Sequence, residues 1–211
     1  MDVRQVRNRM LAERVIRGLE SRNMEGYYAE TKEDALQEAL KLIPEGSQIS
    51  WGGTYSVEEI GLLKTVYEGN FEVIDRETAP NDEERRSRML QAYDCDYYLG
   101  STNAITEDGV LVNIDGNANR VSAYAYGPKH LLLVVGINKV VKDEDDALSR
   151  ARNLAAPVNA QRFEVNTPCK TTGCCADCKS GDCICCQILT TRFSRQKGRI
   201  KVILVGEALG F

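Results

Sequence analysis

The stretch SQISWGGTYSVEEIGLL, Ser47–Leu63, changes its character in the middle. Ile49–Trp51 reads as the end of a strand and Gly52-Gly53-Thr54 as a tight turn. Ser56, with Glu59 three residues on, reads as a capping box that opens a helix. Strand, glycine turn and helix make the βα unit, whose backbone amides and helix start can hold an anion. A bare turn fits the two glycines equally well, because the spacing is neither GxGxxG nor a Walker sequence.

The same alternation runs outward in both directions. Upstream, Val3, Val6, Met10, Val15, Ile16 and Leu19 recur at helical spacing through residues 3–21. An extended piece follows at 26–30. Thr31 then leads a helix, with Asp34 three residues on in a weaker form of the capping box, and Pro44 and Gly46 end it. Downstream, 71–76 is a strand, NDEERRSRMLQAY after Pro80 a helix, and 96–101 a strand. NAITEDGVLVNIDG reads as two extended pieces joined at Glu107-Asp108-Gly109. VSAYAY and HLLLVVG read as further strands, the second apolar enough to be central. A helix at 143–153 is expected to stop at Pro157, and IKVILVG returns as a closing strand. The expectation is one α/β domain over 1–211, with helices flanking a sheet that mixes parallel and antiparallel strands.

Composition narrows the function. With 27 Lys and Arg against 31 Asp and Glu, the net charge is −4. That argues against nucleic-acid binding, which needs clustered cations. The basic run 192–201 is read as a solvated turn. The start, MDVRQVRNRMLAERV, has no apolar core of a signal peptide, and Leu131–Ile137 is too short to span a bilayer. A cytoplasmic location follows as the expectation, where thiols stay reduced.

Gly100–Val141, GSTNAITEDGVLVNIDGNANRVSAYAYGPKHLLLVVGINKVV, resembles the LUD-domain family of lactate-utilisation proteins. WGGTYSVEEIGL, Ala156-Pro157-x-Asn159, Pro168-Cys169 and the terminal VGEALGF follow in the family's order. The resemblance implies the Rossmann-like fold of the sugar-isomerase and CoA-transferase group, with an inserted antiparallel element. It also implies a ligand cleft built from Gly100, Asn103, Asp108-Gly109, Asn113, Asp115-Gly116, Asn119 and Arg120, facing Gly52, Gly53 and Thr54. Amide and carboxylate side chains there suit hydroxyls, while Arg120 and Lys139 suit a carboxylate or phosphate. The Asn and Asp positions are equally able to serve turns. Arg120 is expected to serve the ligand rather than the fold, since a turn requires no guanidinium. Ala118 stands where relatives usually carry Gly, and its methyl is expected to narrow the approach to a ligand.

No acid–base pair stands out. His130 at the start of an apolar strand reads as structural, and Glu207, after the last strand, is a possible general base or nucleophile. Seven of the eight cysteines lie between Pro168 and Cys186, within a loop over 166–187 too poor in apolar residues to hold a core. Metal ligation is the favoured reading, ahead of bare thiols and then disulfides. Cys175-x2-Cys178 and Cys183-x2-Cys186 form two knuckles, closely spaced for a zinc ribbon. The resemblance instead points to Cys169, Cys175, Cys178 and Cys185, leaving Cys174, Cys183 and Cys186 as extras. Zinc and an iron–sulfur cluster both suit four thiolates, and the lean to iron–sulfur comes from the family's link to lactate oxidation.

The combined expectation is a subunit or relative of a system oxidising L-lactate to pyruvate, with partner subunits and a small carboxylate or phosphorylated ligand. The alternatives are a non-redox ligand-binding or regulatory module with structural zinc, and an isomerase- or transferase-like enzyme.

Overall fold

The apolar run at 130–136 lies in the interior of the main sheet. The computed structural model describes residues 2–211. Its strands are β1 (Glu25–Ala29), β2 (Gln48–Trp51), β3 (Glu72–Ile74), β4 (Tyr97–Gly100), β5 (Ala104–Thr106), β6 (Leu111–Asp115), β7 (His130–Gly136), β8 (Val140–Val141), β9 (Gln187–Thr191) and β10 (Ile200–Val205). The helices are α1 (Val3–Ser21), α2 (Lys32–Leu42), α3 (Tyr55–Glu59), α4 (Leu62–Glu68), α5 (Asp82–Gln91), α6 (Asn119–Ala125), α7 (Glu144–Arg150), α8 (Ala156–Ala160) and α9 (Pro168–Thr172).

The main sheet has six strands in the order β1-β10-β7-β4-β2-β3, and every neighbouring pair is parallel. Antiparallel pairing is confined to a second sheet, β8-β5-β6-β9. The mixture expected of one sheet is thus divided between two.

Alternation along β7 explains why its sequence is continuously apolar. Leu131, Leu133 and Val135 pack with Ala12, Val15 and Leu19 of α1, and with Ile105 and Leu111 of the second sheet. Leu132 and Val134 point the other way, against Ala35 and Ala39 of α2 and against Val57, Leu62 and Val66. Both faces of β7 are therefore buried, as parallel strands require. The far face of the second sheet packs Val112 and Ile114 on Ala147 and Ala151.

Several local expectations change. VSAYAY forms α6, not a strand: Val121, Ala123 and Tyr124 are the buried positions, and the Asp115 carboxylate accepts from the backbone N–H of Arg120 and Val121 at 3.0 and 3.1 Å. Pro157 does not stop its helix. Ala151–Ala155 is a π-helical turn, after which α8 continues with Pro157 in its first turn, where its missing N–H breaks no bond. Ser56 does not cap α3. Thr54 holds the N-cap position, without a side-chain cap bond. QILTT, unread as a strand, becomes β9 by pairing with β6. The basic run is not wholly solvated, since Arg199 is buried and its guanidinium donates to the carbonyls of Pro128, Tyr124 and Ala123. Among the described residues, no helix is long and apolar enough to cross a membrane.

The hairpin tip between β5 and β6 is fixed by backbone contact with α1. A Cβ added to Gly18 would lie 2.8 Å from the Asp108 Cα, and Gly109, at φ +89°, faces the Leu19 backbone. Helix propensity alone favours Ala over Gly by about 1 kcal/mol. Overpacking against backbone costs roughly 1–3 kcal/mol and wins here. Gly18→Ala is therefore expected to lower the urea midpoint, whereas a purely helical effect would raise it.

Candidate functional site

The C-terminal ends of β2, β4 and β7 lie side by side, and the segments that follow them line one cleft of about 540 Å³. An open α/β sheet places ligands at this edge. Lys139 follows β7 and is only 3% exposed. Its Nζ donates to Ser56 Oγ of α3 and to Ser101 Oγ after β4, each at 3.0 Å. Ser101 is itself fixed, because the Tyr124 hydroxyl donates to its carbonyl at 2.7 Å and accepts from its N–H at 3.1 Å. No carboxylate forms an ion pair with Lys139 among the described residues. Burial, then the charges of Arg150 and Arg120, pull its pKa down to about 7 against a weaker upward pull from Glu59.

Between about 7 and 10.5 the unfolded chain holds a proton at this amine that the folded protein has lost. The destabilising effect of the buried ammonium is full below that window and fades as pH rises through it.

Of the residues expected in the cleft, Gly53, Thr54, Asn103, Asp115, Asn119, Arg120 and Lys139 line it. Gly52 stands just behind, where a Cβ would lie 3.1 Å from the Arg120 stem. Thr54 Oγ1 is buried and lacks a protein partner. Asp108 is elsewhere: it is at the hairpin tip, its carboxylate 2.5 Å from Arg22 Nη2. Asn113 is fully buried in β6 on the side of Leu111, away from the cleft lining, and its amide has no protein partner. Glu207 is exposed and accepts from the first backbone N–H of α2 at 2.7 Å, so it serves as a helix-start anchor.

Arg120 lines the cleft and also braces the fold. Its Nη2 donates to the Ile114 carbonyl at 2.5 Å and to Asn103 Oδ1 at 3.2 Å. Ala118 adopts φ +62°, a left-handed conformation that glycine takes without strain. Four further cleft residues were not among the expected ones. Ser56 and Ser101 hold Lys139. Asn159 accepts from Arg162 Nη1 at 3.2 Å, and the Arg162 guanidinium lies 4.4 Å from the centre of the Tyr55 ring. Ser101 was within reach of sequence reasoning, as a polar residue just past a buried strand.

A second cavity of about 150 Å³ lies beside the cleft, lined by Cys169, Cys175, Cys178 and Cys185 and also by Cys183. Cys174 and Cys186 are exposed and outside it. All eight thiols are free, and burial with the neighbouring Cys183, Cys175 and Cys169 pushes Cys185 up to about 12. Soft sulfur donors around one small cavity fit zinc or an iron–sulfur cluster chemically. Among the described residues, no three Cys, His, Asp or Glu side chains stand grouped closely enough to hold an ion as they are. Ile114, Ala156 and Ile184 line both cavities, and a Cβ on Gly116 would lie 3.3 Å from the Ile184 backbone.

The fold is thus a parallel α/β sheet with a polar cleft at its strand ends and a thiol-lined annex. Residues 12–205 match the model of the LUD domain, and the chain belongs to that family. No curated protein matches it. Among solved structures it is similar to a DUF162 family protein from Deinococcus radiodurans, at 13% identity over 95% of this chain and 98% of the other, with a TM-score of 0.49.

The two arginines differ in what they do for the fold. Arg120→Ala removes a donor from the buried Ile114 carbonyl, while Asn103 Oδ1 keeps the Ile114 N–H at 2.9 Å, and should cost about 1–3 kcal/mol. Arg162→Ala should stay within about 0.5 kcal/mol, as for a surface substitution. Urea unfolding of the two variants measures both.

Proposed function

We propose that this LUD-domain chain acts in lactate utilisation, as a cytoplasmic subunit or relative of a system that converts L-lactate to pyruvate. It binds a small carboxylate in the cleft and a zinc ion or iron–sulfur cluster in the thiol cavity. The observation that carries this reading is adjacency: a cleft bearing Arg120, Arg162 and Lys139 shares the wall Ile114–Ala156–Ile184 with a cavity of five thiols.

Each part has a physical basis. Arg162 is exposed, with donors beyond its one bond to Asn159, so it suits a carboxylate. Thr54, Asn103 and Asn159 supply hydroxyl and amide groups for the neighbouring oxygen of a hydroxy or oxo acid. Cys169, Cys175, Cys178 and Cys185 would hold the metal, which supplies electron-transfer chemistry as a cluster or fixes the loop as zinc. A volume of about 540 Å³ exceeds what a three-carbon acid fills and leaves room for a phosphorylated ligand.

Anaerobic purification with metal analysis and an optical spectrum tests the metal half. Visible absorption with bound iron supports the redox reading. Colourless protein with stoichiometric zinc supports the regulatory module, and no metal at all contradicts both. Serine at Cys169, Cys175, Cys178 or Cys185 should abolish the metal, because a hydroxyl is a poor soft-metal ligand. Serine at Cys174 or Cys186 should spare it. Calorimetry with lactate, pyruvate and inorganic phosphate tests the cleft, and Arg162→Ala should weaken the carboxylates at least several-fold.

A further inference from the structure

We infer that Lys139 is a nucleophile that forms an imine with the carbonyl carbon of a 2-oxo acid held in the cleft. The inference rests on the carboxylate reading above and deepens it by assigning the reacting atom.

The geometry carries the argument. An amine serving only as a charge for an anion is best left solvated or paired. Lys139 is neither: it is 3% exposed, has no carboxylate partner among the described residues, and is held by two hydroxyls, one in α3 and one just past β4. As a neutral amine it can donate one hydrogen to each serine, which leaves its lone pair free. Lys139 and both serines line the same cleft, which puts the amine within reach of a ligand there. Burial and the charges of Arg150 and Arg120 favour the neutral form, and Glu59 opposes them weakly.

The serines are holders rather than attacking groups. Lys139 donates to both at the same distance and so singles out neither as a partner to be activated. Ser56 is fully buried, and a Cβ on Gly210 would lie 2.8 Å from its Oγ.

The reaction balances without an oxidant. The nitrogen lone pair attacks the 2-carbonyl carbon, a C–N bond forms, and the carbonyl π pair moves to oxygen. A proton passes from nitrogen to that oxygen through the Ser56 or Ser101 hydroxyl. With a second proton the oxygen leaves as water, giving the iminium: ketone plus ammonium yields iminium plus water. The arriving carboxylate offsets the field of Arg120 and Arg150, so the iminium cation is better tolerated than the free ammonium was. Lactate, with a hydroxyl in place of the 2-oxo group, cannot form the imine.

The test traps the imine on the full chain. Protein is incubated with pyruvate and sodium cyanoborohydride near neutral pH, and its peptides are analysed by mass spectrometry. The expected result is a reduced pyruvyl adduct on Lys139 in clear excess over every other lysine, lost in Lys139→Arg and lost as a preference when the wild type is unfolded in urea. In the folded wild type the trapping rate at Lys139 should rise through about pH 7, well below the range of surface lysines. Pyruvate binding is measured in parallel by calorimetry. Binding heat without a Lys139 adduct overturns the imine and leaves the carboxylate cleft standing. Neither heat nor adduct overturns both, and an adduct spread evenly over surface lysines overturns the imine.

Discussion

A single buried amine ties together the loops that make the cleft. Lys139 follows β7, Ser101 follows β4, and Ser56 lies in the helix that follows β2, so two hydrogen bonds from one nitrogen join three adjacent strand ends. The loop after β10 closes over the same point, where a Cβ on Gly210 would lie 3.2 Å from Nζ. A parallel sheet aligns its strand ends but leaves the connecting loops free to diverge. The Lys139 bridge sets their spacing. The cost is an amine far from water beside two arginines, and the protein meets it by lowering the proton affinity of that amine rather than by supplying a counter-ion.

The second sheet and the thiol loop build the other wall. Arg120 holds Asn103 and the Ile114 carbonyl together, and the Arg150 guanidinium donates to the Asn103 carbonyl at 2.5 Å. The cysteine loop is pinned at its base, where Asn166 N–H donates to Asp182 at 2.9 Å, and by the Arg152–Asp177 ion pair. Because Ile184 lies between Cys183 and Cys185 and also lines the cleft, whatever fixes the thiols fixes part of the cleft wall. The two cavities share that wall.

The layered fold was legible because its signals are local and strong. The heptapeptide His130–Gly136 is apolar at every position on which the two cores depend, and Thr31 with Asp34 forms the capping box as read. Errors arose where tertiary partners decide. The β-like composition of VSAYAY gave way to an α6 start fixed by Asp115, and Pro157 is tolerated because a π-helical turn precedes it. Candidate site residues divided along similar lines. Gly53, Thr54, Asn103, Asp115, Asn119, Arg120 and Lys139 share the cleft, whereas Asp108 is drawn to Arg22, and Glu207 to the start of α2. Nothing local to Arg162 marks it for the cleft, which it reaches through the packing of distant segments, whereas Ser56 lies two residues past the expected turn Gly52–Thr54.

The cleft depends most directly on the state of one nitrogen, Lys139 Nζ. Lysine side chains labelled with carbon-13 at Cε, with Lys139→Arg for assignment, allow its titration to be followed by NMR in the folded protein. A midpoint near 7, with the ordinary surface lysines remaining near 10.5, is the predicted result. A Lys139 midpoint at the ordinary lysine value would contradict it, because the amine would then be a plain solvated cation and not the buried bridge on which the cleft is built.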